Sequence, residues 1–189
     1  MIRARLPILA AVLLCLLGTA SSAQTQSPAP GTSQAPTPAL PQFDLNRIFE
    51  TVAQGLAMAI QSAHDEAVKA GVQPIPPAMR KQLAMVFPIE LLDRVRYRVG
   101  RENSMTMQAF QYGHVQAVTL IDVIVFRNET DALTNDSLWA HELTHVRQYD
   151  RWGLEEFARR YVNDHKAVED EAYGFQSEYQ ARKTGAAPR

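Results

Sequence analysis

The sequence predicts an α+β domain with a small mixed or antiparallel sheet, and three patterns indicate it. Apolar residues recur at three- and four-residue spacing from Leu45 to Ala67, which is typical of one amphipathic helix. Residues 94–99 alternate arginine with valine or tyrosine, and residues 118–126 (VTLIDVIVF) are almost continuously apolar, so the middle of the chain favours strands. Helical spacing returns from Ser137 onward.

The composition excludes several classes of protein. With 189 residues, the chain is long enough for one core of ordinary size and too short for two large domains. Its 46% hydrophobic and 21% charged residues are not those of a disordered protein. A formal net charge of −1 gives no basic excess, so we expect no nucleic-acid partner. One cysteine excludes a disulfide framework and a thiolate zinc cluster.

Residues 1–23 have the three parts of a secretory signal peptide. Arg3 and Arg5 lie near the N-terminus, and an apolar run from Ile8 to Leu17 follows them. The small residues ASSA then precede Gln24, as at a signal cleavage site. We therefore expect export, to a periplasm or the extracellular space, with no stable membrane span after cleavage.

Residues 24–42 have a different composition from the rest of the chain. They carry no charge and are rich in Pro, Ser, Thr, Ala and Gln, so we interpret them as a disordered tether. The folded domain is then expected over residues 43–189. Loss of the signal also removes two arginines and the only cysteine, which changes the formal charge from −1 to −3 and leaves no thiol.

Helix signals dominate the first part of this domain. The helix from Leu45 to Ala67 ends at Gly71, because glycine is favoured just after a helix. Pro76 and Pro77 can open a second helix, which closes at Pro88. Residues 89–92 are expected to add a further turn.

Strand signals follow. Val95, Tyr97 and Val99 alternate with arginines, as in a half-buried strand. Two more strands are expected at 105–112 and 115–126, paired as a hairpin around Gly113. Asp122 interrupts the second of them, and a carboxylate there needs a partner or a polar face.

A helix with two histidines one turn apart comes after these strands. Residues 135–137 (NDS) offer N-cap side chains, and Gly153 offers a C-cap. Between them lies HELTH, with His141, Glu142 and His145. On a helix, positions i and i+4 lie on the same face, so both imidazoles can bind one metal ion.

The residue types in this motif fit zinc chemistry. Zinc accepts imidazole nitrogen and carboxylate oxygen, and a catalytic zinc keeps one position open for water. The metal lowers the pKa of that water, and a nearby carboxylate can take its proton as hydroxide attacks a carbonyl. The motif therefore predicts Zn²⁺ as cofactor, with His141 and His145 as ligands and Glu142 as general base.

A third protein ligand is expected downstream. Helical spacing covers 154–162 and then 166–182. In the second stretch, Glu169 and Glu171 flank the apolar stripe on opposite sides, and His165 lies at its start. Periodicity slightly favours Glu171, and the residues by themselves leave all three open.

The motif sequences resemble a known group of enzymes. HELTHVRQYDRWG at 141–153, followed by EDEAY at 169–173, resembles the gluzincin clan of zinc metallopeptidases. More narrowly, it resembles bacterial HELTHV-type domains of uncharacterised function, related to a metallopeptidase-like domain of extracellular contractile injection systems. The resemblance covers roughly residues 75–179. It implies a zincin-like fold with a C-terminal ligand helix, and a secreted zinc-dependent peptidase that hydrolyses a peptide or protein substrate through zinc-activated water.

The resemblance also selects a third ligand. In such families the first glutamate of an E-x-E-A-D pattern binds zinc, which implies Glu169, with Glu171 as the alternative. The aspartate of that pattern steadies a zinc-binding histidine, and here its place is taken by Tyr173. This departure leaves the orienting partner of the histidine unidentified.

Two further expectations concern the substrate and the class of function. Gluzincins bind peptide along an edge strand and place a Tyr or His near the oxyanion. Here that implies strand 105–112 and one of Tyr149, Tyr161, His165 and Tyr173. The alternative class is a non-catalytic zinc-binding interaction module, secreted or periplasmic, which retains the HExxH site. The sequence does not predict the oligomeric state.

Overall fold

The computed structural model describes residues 44–100 and 115–185. The predicted signal, the tether and strand 105–112 with its hairpin lie outside these residues. Within them the chain forms six helices and four strands, a mixed α+β fold that confirms the predicted class. The helices are α1 (Leu45–Lys69), α2 (Pro77–Leu83), α3 (Ile89–Arg94), α4 (Glu129–Thr134), α5 (Asp136–Trp152) and α6 (Leu154–Thr184). The strands are β1 (Gln73–Pro74), β2 (Arg96–Val99), β3 (Ala117–Leu120) and β4 (Val123–Phe126).

The four strands form one small mixed sheet in the order β1-β2-β4-β3. β1 pairs with β2 antiparallel, β2 with β4 parallel, and β4 with β3 antiparallel. In the parallel pair Arg96 lies opposite Val123, and in the hairpin Leu120 lies opposite Val123. The small mixed sheet was one of the two predicted forms.

The predicted single strand over 115–126 is wrong, because the chain turns back in its middle. β3 and β4 are joined by two loop residues, Ile121 and Asp122. Ile121 has φ of 60°, a conformation that two-residue hairpin loops usually give to glycine. No glycine or asparagine marks this turn in the sequence. Asp122 finds a partner in α1, where His64 Nε2 lies 2.9 Å from its carboxylate.

β4 separates two hydrophobic cores, since its side chains alternate between the faces of the sheet. Val123 and Val125 pack with α1 and the first half of α6. Ile124 and Phe126 pack with Trp139 of α5 and with α2 and α3. The strand is thus buried on both faces, as its continuous apolar sequence predicts.

α5 and α6 are joined directly at Gly153, whose φ of 76° and ψ of 169° turn the chain back. α6 is broken at Asp164, which has a non-helical φ of −152°. The Asp164 carboxylate accepts a hydrogen bond from the amide of Ala167 at 3.0 Å and so caps the second half. The break agrees with the two helical stretches predicted from the sequence. Among the described helices, none has both the length and the apolar character needed to cross a bilayer.

The far end of α6 is tied to the start of α5. The Tyr179 hydroxyl donates to the Asp136 carboxylate at 2.9 Å, and Lys183 forms an ion pair with the same group. The two helices therefore pack side by side along much of their length. This pairing carries residues of the second half of α6 to the face of α5 that holds the HELTH motif.

Candidate metal centre

The HELTH motif lies on a helix that is buried on nearly every side. Asn135 caps α5 by accepting a hydrogen bond from the amide of Leu138 at 3.0 Å. The sheet covers one side of α5 and α6 covers another, so His141, Glu142 and His145 are each at most 6% exposed. Polar groups this buried need partners.

Glu169 of α6 meets the two histidines at one point. His141 Nε2 and His145 Nε2 lie 3.2 Å apart, and Glu169 Oε2 lies 3.4 Å from the first and 3.7 Å from the second. Donor atoms about 2.0–2.1 Å from a tetrahedral zinc lie about 3.3 Å from one another. The three atoms therefore have the spacing of one face of a tetrahedral metal site. They are a possible metal-binding triad of the described residues.

The other two candidate ligands lie elsewhere. The Glu171 carboxylate accepts hydrogen bonds from Arg151 at 2.7 Å and from the Gln148 amide at 3.1 Å. The His165 ring lies 6.2 Å from that of Tyr161, and His165 is not part of the group formed by His141, His145 and Glu169. Of the three candidates, the structure brings Glu169 to the histidine pair.

His145 is held by Gln148, which sequence reasoning missed. The Gln148 side chain is completely buried, and its Oε1 lies 2.8 Å from His145 Nδ1. Its amide nitrogen donates to the carbonyl of Val168 at 2.9 Å and to Glu171. The spacing of three residues from His145, which places Gln148 on the same helix face, was the available signal.

His141 has a different environment. The ring of Tyr173 lies against the His141 ring with centroids 4.5 Å apart. His141 Nδ1 is buried and has no hydrogen-bond partner among the described residues. Tyr173, which stands in the place of the aspartate in the resemblance, therefore contacts this histidine through its ring.

Glu142 is held by a residue of β3. The Thr119 hydroxyl lies 2.7 Å from Glu142 Oε2 and donates to it. This contact joins the edge of the described sheet to the motif helix, and nothing in the local sequence marks it. A hydrogen bond to one carboxylate oxygen fixes the group and leaves the second oxygen for proton transfer.

The charges of the triad act on one another. Burial lowers the pKa of His145, but the Glu169 carboxylate, the charge of Glu142 and the hydrogen bond to Gln148 together more than offset this, and the pKa rises to about 9. Burial likewise raises the pKa of Glu169, but the two histidines lower it well below its ordinary value. The carboxylate thus favours positive charge at the imidazole pair, which is the charge that a bound cation supplies.

Two of the four candidate oxyanion donors are buried near the triad. The Tyr161 hydroxyl donates to Glu169 Oε1 at 3.2 Å, and the Tyr149 hydroxyl donates to the carbonyl of Thr119 at 3.4 Å. Burial and then the charge of Glu169 raise the pKa of Tyr161. Burial, and to a smaller extent the charge of Glu142, raise the pKa of Tyr149. Both phenols keep their protons and act as donors.

The donor set fits a zinc ion. It consists of two imidazole nitrogens and one carboxylate oxygen, a combination found in catalytic zinc sites. The Gln148 amide cannot turn its nitrogen to His145 without facing its oxygen to two other acceptors, Val168 O and Glu171. Nδ1 of His145 must therefore carry a proton, so the neutral ring that binds a metal has its lone pair on Nε2, directed at the triad.

One comparison with known proteins gives a match. The family model of the eCIS core domain matches residues 74–153, from the end of β1 to the glycine after α5. The matched part contains both histidines and Glu142 and stops before Glu169. No curated protein and no solved structure matches the chain. The match is consistent with a relation to extracellular contractile injection systems.

Proposed function

We propose that the protein is a secreted zinc-dependent metallopeptidase. The observation that carries this proposal is the convergence of His141 Nε2, His145 Nε2 and Glu169 Oε2 within 4.8 Å of one another. The two histidines lie on the helix that also carries Glu142, and Glu169 comes from α6. Three protein ligands leave a fourth position of a tetrahedral ion for water or substrate. A structural zinc site, by contrast, usually uses four protein ligands, most often with thiolates, and the mature chain has none.

Each residue has a distinct part in the proposed reaction. The two imidazoles and the Glu169 carboxylate would hold Zn²⁺, which when bound acts as a Lewis acid and lowers the pKa of water. Glu142 takes the proton of the attacking water and returns it to the leaving amine. Thr119 holds the Glu142 carboxylate in place through its hydroxyl. Tyr161, whose proton is retained, can turn its hydroxyl from Glu169 to donate to a developing oxyanion.

The surroundings favour a peptide or protein substrate outside the cytoplasm. The expected signal peptide directs the chain to export, and the eCIS core domain match associates residues 74–153 with extracellular systems. A zinc-assisted hydrolysis of an amide bond needs a metal, a base and an oxyanion donor, and each has a candidate here. Cleavage of a mixed peptide library would identify the preferred peptide.

The test compares two glutamate-to-glutamine variants of residues 24–189. Glu142→Gln should keep one zinc per chain and lose hydrolysis of a mixed peptide library by at least about 100-fold, because the amide cannot accept the proton. Glu178→Gln, an exposed change on α6, is the matched control and should retain both properties. Full hydrolysis by Glu142→Gln would contradict the mechanism.

A non-catalytic zinc-binding module is the second candidate. It is favoured by the family description, which names a core domain and no activity, and by Tyr173 in place of the expected aspartate. Under this function the wild-type protein binds zinc and cleaves no member of the library. Cleavage that a chelator abolishes and zinc restores would eliminate it.

A further inference from the structure

We propose that Gln148 is a positioning residue that fixes the tautomer and the orientation of His145 at the metal centre, with Glu171 and Arg151 holding Gln148 in turn. The inference rests on the metal centre of the proposed function. It assigns to Gln148 the part that a carboxylate plays in many zinc sites, where a histidine ligand donates its second N–H to a neighbouring acceptor.

The first step is the direction of the Gln148 amide. Its nitrogen faces two acceptors, the Val168 carbonyl at 2.9 Å and the Glu171 carboxylate at 3.1 Å. An NH₂ group has two protons, so both contacts are satisfied. The reverse orientation would place three oxygen atoms together in a buried site, which is strongly unfavourable. The Gln148 oxygen must therefore face His145 Nδ1, at 2.8 Å.

The second step is the anchoring of Gln148 by charge. Arg151 Nη2 lies 3.0 Å and 2.7 Å from the two oxygens of Glu171. The Arg151 guanidinium forms an ion pair with the Glu171 carboxylate, and this carboxylate accepts a hydrogen bond from the Gln148 amide. Arg151, Glu171, Gln148 and His145 form one chain of hydrogen bonds, which we call the Gln148 relay.

The third step concerns charge at the centre. Glu142 and Glu169 already place two carboxylates near the histidine pair. An amide as the acceptor for His145 orients the ring without adding a third negative charge, whereas the Glu171 charge acts one hydrogen bond farther away. A carboxylate in direct contact would raise the basicity of the ligand. Hydrogen-bonded to Gln148, His145 is therefore a less basic metal ligand than a histidine whose second nitrogen donates to a carboxylate.

The first test reads the tautomer of His145 by ¹⁵N-imidazole NMR of residues 24–189, with and without zinc. Wild-type His145 should be protonated at Nδ1 in both states. The metal-free spectrum tests the relay even if the protein binds no zinc, so failure of the relay and failure of the proposed function are separate results. The metal-free spectrum is recorded at a pH where the His145 ring is neutral, and a proton on Nε2 with none on Nδ1 would overturn the proposal.

The second test measures zinc affinity in variants of the relay. Gln148→Leu removes the acceptor and should weaken zinc binding by roughly 10- to 100-fold while keeping one zinc per chain at saturation. Gln82→Leu, at an exposed position of α2, is the matched control and should bind zinc as wild type does. Unchanged affinity in a folded Gln148→Leu variant would overturn the proposal.

A charge exchange keeps the test informative if Gln148→Leu does not fold. In Q148E/E171Q the carboxylate and amide trade places, so His145 keeps an acceptor and position 148 keeps a donor from position 171. We expect this double variant to bind zinc more tightly than Q148E alone, because the amide placed at position 171 can donate to the carboxylate placed at position 148, although the second oxygen of that carboxylate then faces the Val168 carbonyl. The single variant Q148E places two carboxylates in contact and should bind less tightly than the double variant. Equal affinities of the single and double variants would contradict the relay.

Discussion

At the scale of single residues, the candidate site divides into positions that helix geometry predicts and positions that it cannot predict. The spacing of His141 and His145 places both rings on one face of α5. Gln148 lies three residues farther along the same face and was within reach of the same argument. Thr119 lies 23 residues before Glu142 and reaches it only because β3 packs against α5. A contact of that kind has no local sequence signal.

Local sequence also could not decide between Glu169 and Glu171 as the third ligand. Both residues border the apolar stripe of α6, so helical phase alone cannot rank them. The side that faces the histidines depends on how α6 crosses α5, which is a property of the tertiary structure. In the structure the Glu169 side faces the histidines, and Glu171 faces Arg151 near the end of α5. The slight preference of periodicity for Glu171 pointed the other way.

Thr119→Val tests the hydroxyl that holds Glu142. The change is nearly equal in volume and removes the hydroxyl, which lies 2.7 Å from Glu142 Oε2 and 3.2 Å from the Glu142 carbonyl oxygen. We expect hydrolysis to fall by roughly 10- to 100-fold, as for other groups that orient catalytic or metal-binding residues, with zinc affinity retained. The measurement is kcat on a library-derived peptide beside zinc titration.

Serine supplies the control for this change. Thr119→Ser keeps the hydroxyl and should retain most of the activity, although it loses a buried methyl group. If Thr119→Val were as active as Thr119→Ser, the hydroxyl would have no part in orienting Glu142.

At the scale of elements, most helix boundaries could be predicted, because they depend on local chemistry. Asn135 and Gly153 bound α5, as expected for an N-cap and a C-cap. The hairpin of β3 and β4 could not be predicted in this way. Its turn uses Ile121 at φ of 60° and a hydrogen bond between Asp122 and His64 of α1, which lies 58 residues away. Tertiary contacts thus stabilise a turn that local preference disfavours.

Two glycine-to-alanine variants test the turn between α5 and α6. Gly153 has φ of 76° and ψ of 169°, a conformation that is essentially restricted to glycine, so Gly153→Ala should lower the free energy of unfolding by about 1–3 kcal/mol. Gly174 lies inside α6, and Gly174→Ala should raise that free energy by about 0.5–1 kcal/mol. Urea denaturation measures both.

The pair is matched because a Cβ atom meets nothing within 4 Å at either position. Any difference between the two variants therefore comes from the backbone and not from crowding. Equal effects of the two substitutions would show that the turn does not depend on the glycine conformation.

At the scale of the whole molecule, the candidate metal centre joins two helices that follow each other in the chain. His141 and His145 belong to α5, and Glu169 belongs to the second half of α6, beyond the break at Asp164. A metal bound there would connect these parts and would favour the folded state, since the unfolded chain does not preform the site. The α+β class could be predicted because the spacing of apolar residues differs between helices and strands. The angle at which α6 crosses α5 could not be predicted, because it depends on tertiary packing.

Zinc should therefore stabilise the protein through its folded form. At a free zinc concentration about 100 times the dissociation constant, binding adds about 2.7 kcal/mol, which corresponds to a rise in Tm on the order of 5–10 °C. Differential scanning calorimetry with zinc and with a chelator measures the shift.

Glu169→Gln should lose most of that shift, because a neutral amide replaces the anionic ligand. Glu178→Gln, an exposed change on the same helix, should keep it. A shift of the same size in Glu169→Gln would place the zinc site elsewhere on the molecule.

The most direct test of the central claim is anomalous diffraction at the zinc edge from crystals of the zinc-loaded protein. The account predicts one strong peak per chain, about 2.0–2.2 Å from His141 Nε2, His145 Nε2 and a Glu169 carboxylate oxygen. A peak bound by Glu171 in place of Glu169, or no peak at the histidine pair, would contradict it.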